Sequence, residues 1–367
     1  MNAVSRLAAG GQVLAKVTTR GELRNRAWPE REHMIAPWLR DGEAALLYAP
    51  TGIGKTMLTL TLGIAMASGG SVAGWHCPKA RRVLLIDGEM NVQDLNDRLG
   101  LLEPTVDGVD RGEVDKNLFV YARNDQAAGH RFPDLATEEG RGEAFKLIAK
   151  HRAEVVVVDN LTTCCSLDDE NAAASFQPIL AFLGELKARR VAVIMVHHSG
   201  KTGDSYRGSS ALATTFEIMV ALTAPKRRTV RTGGTAFDLK FTKVRSETGE
   251  WSEPREFDLV KLEDGSRRWN AASGEDALAG KVMMALKSGL YETQGELAEA
   301  CGTSASKITR IKAEWDLDGI MKAGVFEGWL SAAKAGKMAE AEDAAESVRE
   351  AGREARREAG VVEREDF

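Results

Sequence analysis

The stretch LLYAPTGIGKTMLTL, Leu46 to Leu60, limits the fold more than any other part of the 367-residue chain. An apolar, strand-like run stops at a cluster of small residues and an apolar helical run begins at once. Both elements are therefore expected in the interior of a layered α/β core. The junction reads AxxxxGKT over Ala49, Pro50, Thr51, Gly52, Ile53, Gly54, Lys55 and Thr56, with Ala where a first Gly is common. Gly52 and Gly54 let successive backbone N–H groups curl inward, and the helix that follows points its positive dipole end at the same spot. Together they form an anion cradle. Lys55 would neutralise terminal phosphates and Thr56 would offer its hydroxyl to a magnesium ion, so a nucleoside triphosphate with Mg2+ is the expected ligand.

Bulk properties narrow the setting. The formal charge of -5 argues against wholesale coating of nucleic acid but leaves room for a local basic channel. No apolar run approaches the roughly 20 residues of a membrane span. The opening MNAVSRLAAG lacks the apolar core of a signal segment, so a cytoplasmic chain with no membrane partner is expected. Cys77, Cys164, Cys165 and Cys301 form no CxxC pair and have no His at zinc spacing; reduced structural thiols are the expectation.

Residues 1–33 are polar, Arg-rich and unpatterned, an N-terminal arm with room for one short helix. A core over 34–272 follows. It alternates strand (AALLYA), helix (Lys55 to Ala67), strand (RRVLLID), helix (Val92 to Leu102), strand (LFVYA), helix (near Gly142 to His151), strand (VVVVD), helix (Asn171 to Arg189) and strand (VAVIMV). Near-continuous apolar strands between amphipathic helices predict a mostly parallel sheet covered on both faces. From Thr229 to Trp269 the pattern becomes β-rich, with turns at Gly233-Gly234 and Asp264-Gly265, which predicts antiparallel additions at the sheet edge. Over 275–330 three helical segments appear. The last two, separated by Gly302-Thr303-Ser304, have the cadence of a small, winged, helix-turn-helix-like all-α domain. Residues 331–367 are Ala-rich and charged in both signs, a solvated helical or disordered tail.

Ligands of an open α/β sheet sit at the carboxyl ends of the strands, so the polar residues delivered there matter most. VVVVD ends in Asp159, the Walker B form, which would hold the magnesium. RRVLLIDGEM ends in Asp87 and Glu89, either of which could serve as general base for an attacking water, with Glu89 preferred. VAVIMV ends in His197 and His198, one of which would sense the γ-phosphate.

Taken in order, APTGIGKT, LLIDGEM, VVVVDN, MVHHSGK and YRGSSAL resemble the RecA-like ATPases of the hexameric replicative helicase type, above all the plasmid RepA helicases and related phage AAA-family ATPases. The resemblance spans about Met34 to Leu262. It implies ATP as the nucleotide, Glu89 as catalytic glutamate, His198 as γ-phosphate sensor, and a hexameric ring whose neighbouring subunit completes each site with a basic finger. Arg207 in YRGSS, or the pair Lys243 and Arg245 in FTKVR, would be that finger. The loops after Asp159 and His198 would line a pore for single-stranded DNA, with Lys201 and Arg207 on the backbone and Tyr206 available for stacking. Asp168, Asp169 and Glu170 make the first loop acidic, against the family pattern, and suit a helix cap better. Lys307, Arg310 and Lys312 give the C-terminal domain a basic face for DNA, although docking to the ring, a replication initiator or a primase fits equally. The motor has two rivals: a RecA-like loader or recombination accessory, and a nucleotide-switched DNA-binding regulator.

Overall fold

The computed structural model of the chain describes residues 16–166, 173–199, 214–225, 235–262, 264–317, 320–321 and 324–336, with the backbone alone over 273–277. Asp168, Asp169, Glu170, Lys201, Tyr206, Arg207, the Gly233-Gly234 turn and the tail past 336 lie outside the described residues.

The N-terminal arm, to Glu32, is a unit of its own. Its short helix α1 (Arg20–Asn25) starts at a reciprocal cap: the Glu22 N–H donates to the Thr19 hydroxyl, and the Thr19 N–H donates to the Glu22 carboxylate at 2.7 Å. Trp28 donates its indole N–H to the Leu23 carbonyl.

The second unit begins at His33. Its strands are β1 (His33–Ile35), β2 (Leu39–Arg40), β3 (Ala44–Ala49), β4 (Ser71–Val72), β5 (Trp75–His76), β6 (Val83–Asp87), β7 (Leu118–Ala122), β8 (Val155–Asp159), β9 (Ala192–His198), β10 (Ile218–Thr223), β11 (Ala236–Val244), β12 (Arg255–Lys261) and β13 (Arg267–Ser273). Between them lie α2 (Lys55–Ser68), α3 (Val92–Leu102), α4 (Arg111–Asn117), α5 (Glu138–His151), α6 (Leu161–Cys164) and α7 (Gln177–Ala188). β1 pairs with β2 and β4 with β5. The rest form a nine-stranded sheet in the order β13-β12-β11-β10-β3-β9-β8-β6-β7. From β10 to β7 all neighbours are parallel; from β10 to β13 they are antiparallel. The sheet is thus the mostly parallel one with antiparallel additions that the alternation predicts.

Strand geometry sends successive side chains to opposite faces, and β3 shows the result. Ala45, Leu47 and Ala49 join one core with Leu58 and Leu62 of α2, Leu95 of α3 and Val114 of α4. Ala44, Leu46 and Tyr48 join another with Ile148 of α5 and Ile179 and Phe182 of α7. With both faces covered, unbroken apolar strands are what the fold requires.

Three details differ from the sequence reading. β10 has no counterpart in it: a short apolar run is ambiguous between strand and helix by periodicity, and here the partner β3 decides. α5 starts at Glu138, earlier than Gly142, because the Thr137 hydroxyl caps it by accepting from the Gly140 N–H. α7 starts only at Gln177, with Pro178 in its first turn.

Past β13 the chain is helical over Gly274–Lys287, Gln294–Ala300, Ala305–Leu317 and 325–336. Val282, Leu297, Ile308, Ile311, Trp315 and Phe326 belong to a third core of their own. Gly302, at φ +61, makes the turn between the second and third of these helices. Among the described residues no strand follows that pair, so the expected wing has no counterpart there. Lys312 pairs with Glu327, and Arg310 with Glu314 at 3.5 Å, so the basic face expected to meet DNA is partly neutralised from within. Among the described residues no helix is long and apolar enough to cross a membrane.

Candidate functional site

β3 delivers the glycine-containing loop and α2 receives it. Every residue of β3 is buried, as is α2 from Leu58 to Ser68, so the loop must bridge two fixed elements. Gly52 (φ +81) and Gly54 (φ +115) turn in the left-handed region. Gly54 meets a second constraint: a Cβ there would lie 2.1 Å from Thr235 Cγ2 and 3.5 Å from the Phe237 ring, so β11 and the residue before it wall the loop. Lys55 is 7 % exposed, and its ammonium donates to the carbonyls of Ala49 at 3.0 Å and Pro50 at 2.9 Å. Burial pulls its pKa down, while the charges of Asp159 and Glu89 pull it back up.

Next to this loop β6 and β8 end in register, Asp87 opposite Asp159. Burial drives the Asp159 carboxyl up to about 6; Asp87 and Glu89 push the same way, and a hydrogen bond with Thr56 and the charge of Lys55 oppose them. Its Oδ2 is buried and accepts no hydrogen bond among the described residues. A buried carboxylate oxygen without a donor, on a group that also meets a threonine hydroxyl, is the oxygen-ligand chemistry of a hard cation. Thr56 and Asp159 therefore fit magnesium.

Asp87 and Glu89, interchangeable in the sequence, occupy different environments. Asp87 is 1 % exposed, and its Oδ1 accepts the N–H groups of Glu89 at 3.1 Å and Met90 at 2.7 Å, closing the turn after β6. Burial raises its pKa against those two bonds. Glu89 is exposed at the surface of the site, and its carboxylate accepts the Asn160 amide N–H at 2.6 Å. Asn160 was not singled out by sequence; its position directly after the strand-end Asp159 was the available signal. Asn124, which donates to the carbonyls of Glu89 at 3.2 Å and Met90 at 2.9 Å, gives no such signal.

The histidine pair is separated by the strand period. His197 is fully buried. His198 lies beside the loop, with Nδ1 3.5 Å from the Thr51 hydroxyl and 3.4 Å from Lys55 Nζ. Lys243 and Arg245 are not brought to this site. Lys243 is registered through Met219 onto Leu46, toward the start of β3, and the next residues continue away from the loop. There the Arg245 N–H donates to Glu217 O at 3.0 Å and its guanidinium donates to Thr214 O. Burial, then the Arg245 charge, lowers the Lys243 pKa. The cysteines are buried free thiols, with Cys77 and Cys164 pushed up to about 12 by burial. Among the described residues no group of three or more His, Cys, Asp or Glu is placed to hold a metal ion.

Against known proteins, the family described as AAA domain matches residues 13–204, a little over half of the chain. No curated protein matches it. Among solved structures, the crystal structure of a KaiC-like protein from the hyperthermophilic archaeon Pyrococcus horikoshii OT3 is similar at a TM-score of 0.46 and 13% identity, over 65% of this chain and 94% of that one. A likeness at that level decides nothing about function.

Proposed function

The chain belongs to the AAA domain family, and from that premise we propose that it is a Mg2+-dependent ATPase that works as a ring-forming translocase on single-stranded DNA, of the replicative RepA-like helicase type. The observation that carries the ATPase reading is the convergence of Lys55 and Thr56 at the start of α2, Glu89 just after β6, and Asp159 and His198 at the ends of β8 and β9, around one glycine loop.

With ATP on the inward-facing N–H groups, Lys55 exchanges its carbonyl partners for the terminal phosphates. Thr56 and Asp159 would hold the magnesium ion, which would neutralise phosphate charge during transfer. Glu89 takes the proton of the attacking water, whose oxygen bonds to the γ-phosphorus as the bond to the bridging oxygen breaks, leaving ADP and phosphate. His198, within reach of both Thr51 and Lys55, registers the departure of the γ-phosphate and passes it to the segment after β9. The order of the five sequence motifs supports the motor. Lys243 and Arg245 lie toward the start of β3, away from their own loop, so a finger role for them would have to be toward a neighbour's loop. Arg207 remains the rival finger.

Steady-state ATP hydrolysis with and without single-stranded DNA tests the proposal. DNA should stimulate turnover, Lys55→Ala and Glu89→Gln should each lower kcat by a factor of about 100 or more, and a forked duplex should lose a strand. Hydrolysis indifferent to DNA would reject the motor and favour the loader or the regulator. A monomer by light scattering, with a non-hydrolysable ATP analogue and DNA present, would reject the ring.

A further inference from the structure

Asn160 stands between two groups that have no contact in the sequence. It is 2 % exposed and directly follows Asp159. Its Oδ1 accepts the Thr163 N–H at 3.1 Å and so caps α6, while its Nδ2 donates to Glu89 Oε2 at 2.6 Å. The amide cannot be the other way round. A backbone N–H only donates, so the oxygen must face Thr163 and the NH2 must face the carboxylate. Thr163 fastens the arrangement: its hydroxyl donates to Asn160 O at 3.1 Å, and its own carbonyl accepts from Arg123. α6 also sits close against the turn that carries Glu89. A Cβ on Gly88 would lie 2.5 Å from Thr163 Oγ1 and 2.9 Å from Cys164 Sγ, and the Gly88 N–H donates to Asp159 O at 2.8 Å.

We infer that Asn160 is the positioning residue of the hydrolytic step: its amide fixes the direction of the Glu89 carboxylate from a base that is itself fixed by the cap of α6. This rests on the ATPase reading. The Glu89 side chain is exposed and long, so without a donor at its tip it would sample several rotamers, few of them aimed at an attacking water. Being buried and held at its other end, the Asn160 amide supplies a donor that does not move with the solvent.

Asn160→Asp in the full chain separates the roles. An aspartate caps a helix as well as an asparagine and has nearly the same volume, but it presents an acceptor to Glu89 where a donor stood. Positioning predicts that kcat per folded molecule falls about tenfold to a hundredfold while KM for ATP stays within about twofold; the melting midpoint falls as well, because the new carboxylate is buried beside Glu89 and Asp159. On a Glu89→Gln background, Asn160→Asp should bring no further loss in single-turnover rate. Wild-type kcat in Asn160→Asp, with loss only in Asn160→Ala, would reduce Asn160 to a cap and overturn the inference. A second measurement does not depend on hydrolysis or on the variant's folding: in the 15N-labelled chain, the Asn160 side-chain NH2 resonances should shift on Glu89→Ala. Unmoved resonances would overturn the pairing. Moved resonances in a protein that hydrolyses no ATP would reject the ATPase reading and uphold the pairing.

Discussion

Where the central strands begin, charges meet their opposites; where the same strands end, like charges gather. At the starts of β6 and β8, Arg81 pairs with Glu154 at 2.9 Å, and Glu154 also accepts the Arg82 N–H. At the starts of β3, β9 and β10, Arg190 pairs with Asp41, and Lys187 with Glu217 at 2.9 Å, while Glu217 also accepts the Ala44 N–H at 3.0 Å. At the opposite ends Asp87, Asp159 and Glu89 crowd around Lys55, and among the described residues a buried Asp159 oxygen has no donor. Matched pairs at strand starts are structural, and two of them also hold backbone N–H groups, of Arg82 before β6 and of Ala44 in β3. A cluster of like charges persists where binding compensates it.

The largest effect expected from this contrast is at Asp159. Its folded-state carboxyl keeps its proton up to about 6, whereas the unfolded chain releases it at the ordinary aspartate value of 3.8. Between those values the native form binds more protons, so this group makes the ligand-free protein lose stability as pH rises through that window, with no further change above it. Asp159→Asn should remove the slope and stabilise the ligand-free protein at pH 7 by on the order of 3 kcal/mol, at the expense of Mg2+-dependent hydrolysis. Denaturant titrations across pH 4 to 7 that showed the same slope in both proteins would break the contrast. At the other end, Glu217→Ala should cost about 2 kcal/mol, taking the carboxylate from the Ala44 N–H and from Lys187, which keeps the Thr215 carbonyl, while kcat per folded molecule is unchanged. A lowered kcat would show that the two ends are not independent.

Between the ends, Gly63 in α2 faces a small void lined by Leu60, Leu85, Leu99 and Leu118, and a Cβ there would come no nearer than 3.9 Å to Leu118. Gly63→Ala should therefore raise stability by about 1 kcal/mol, the helix-propensity difference, measurable as a raised melting midpoint. The smallest effect on the folded monomer is expected at Arg245, where alanine should change stability by no more than about 0.5 kcal/mol. In the ring proposed above hydrolysis would nevertheless drop, and normal turnover by assembled Arg245→Ala protein would remove it as the finger.

What the sequence disclosed follows the same division. The loop from Ala49 to Thr56, Asp159 and the parallel alternation were legible because each is a local pattern: a run of β-branched residues, a glycine spacing, a strand that ends in a carboxylate. The distinction between Asp87 and Glu89 was not, because it depends on which carboxylate turns back onto the N–H groups of Glu89 and Met90. Nor was the role of Asn160, whose partner is 71 residues away. The ion pairs at the strand starts join residues as far apart as Asp41 and Arg190, 149 positions, and each alone reads as an ordinary surface charge. His198 could be preferred by resemblance, but only the register of β9 beside β3 puts it, and not His197, at the loop.

The wall that β11 builds against Gly54 has a consequence for how the molecule could be cut. The matched family region stops at residue 204, before β10, which flanks β3, and before Thr235 and Phe237, which confine the loop. A fragment ending there would leave β3 as an open edge and its glycine loop unbacked. Inheritance and folding thus draw their borders in different places: a working cassette transplanted from this protein would have to extend to the end of β13 at Ser273.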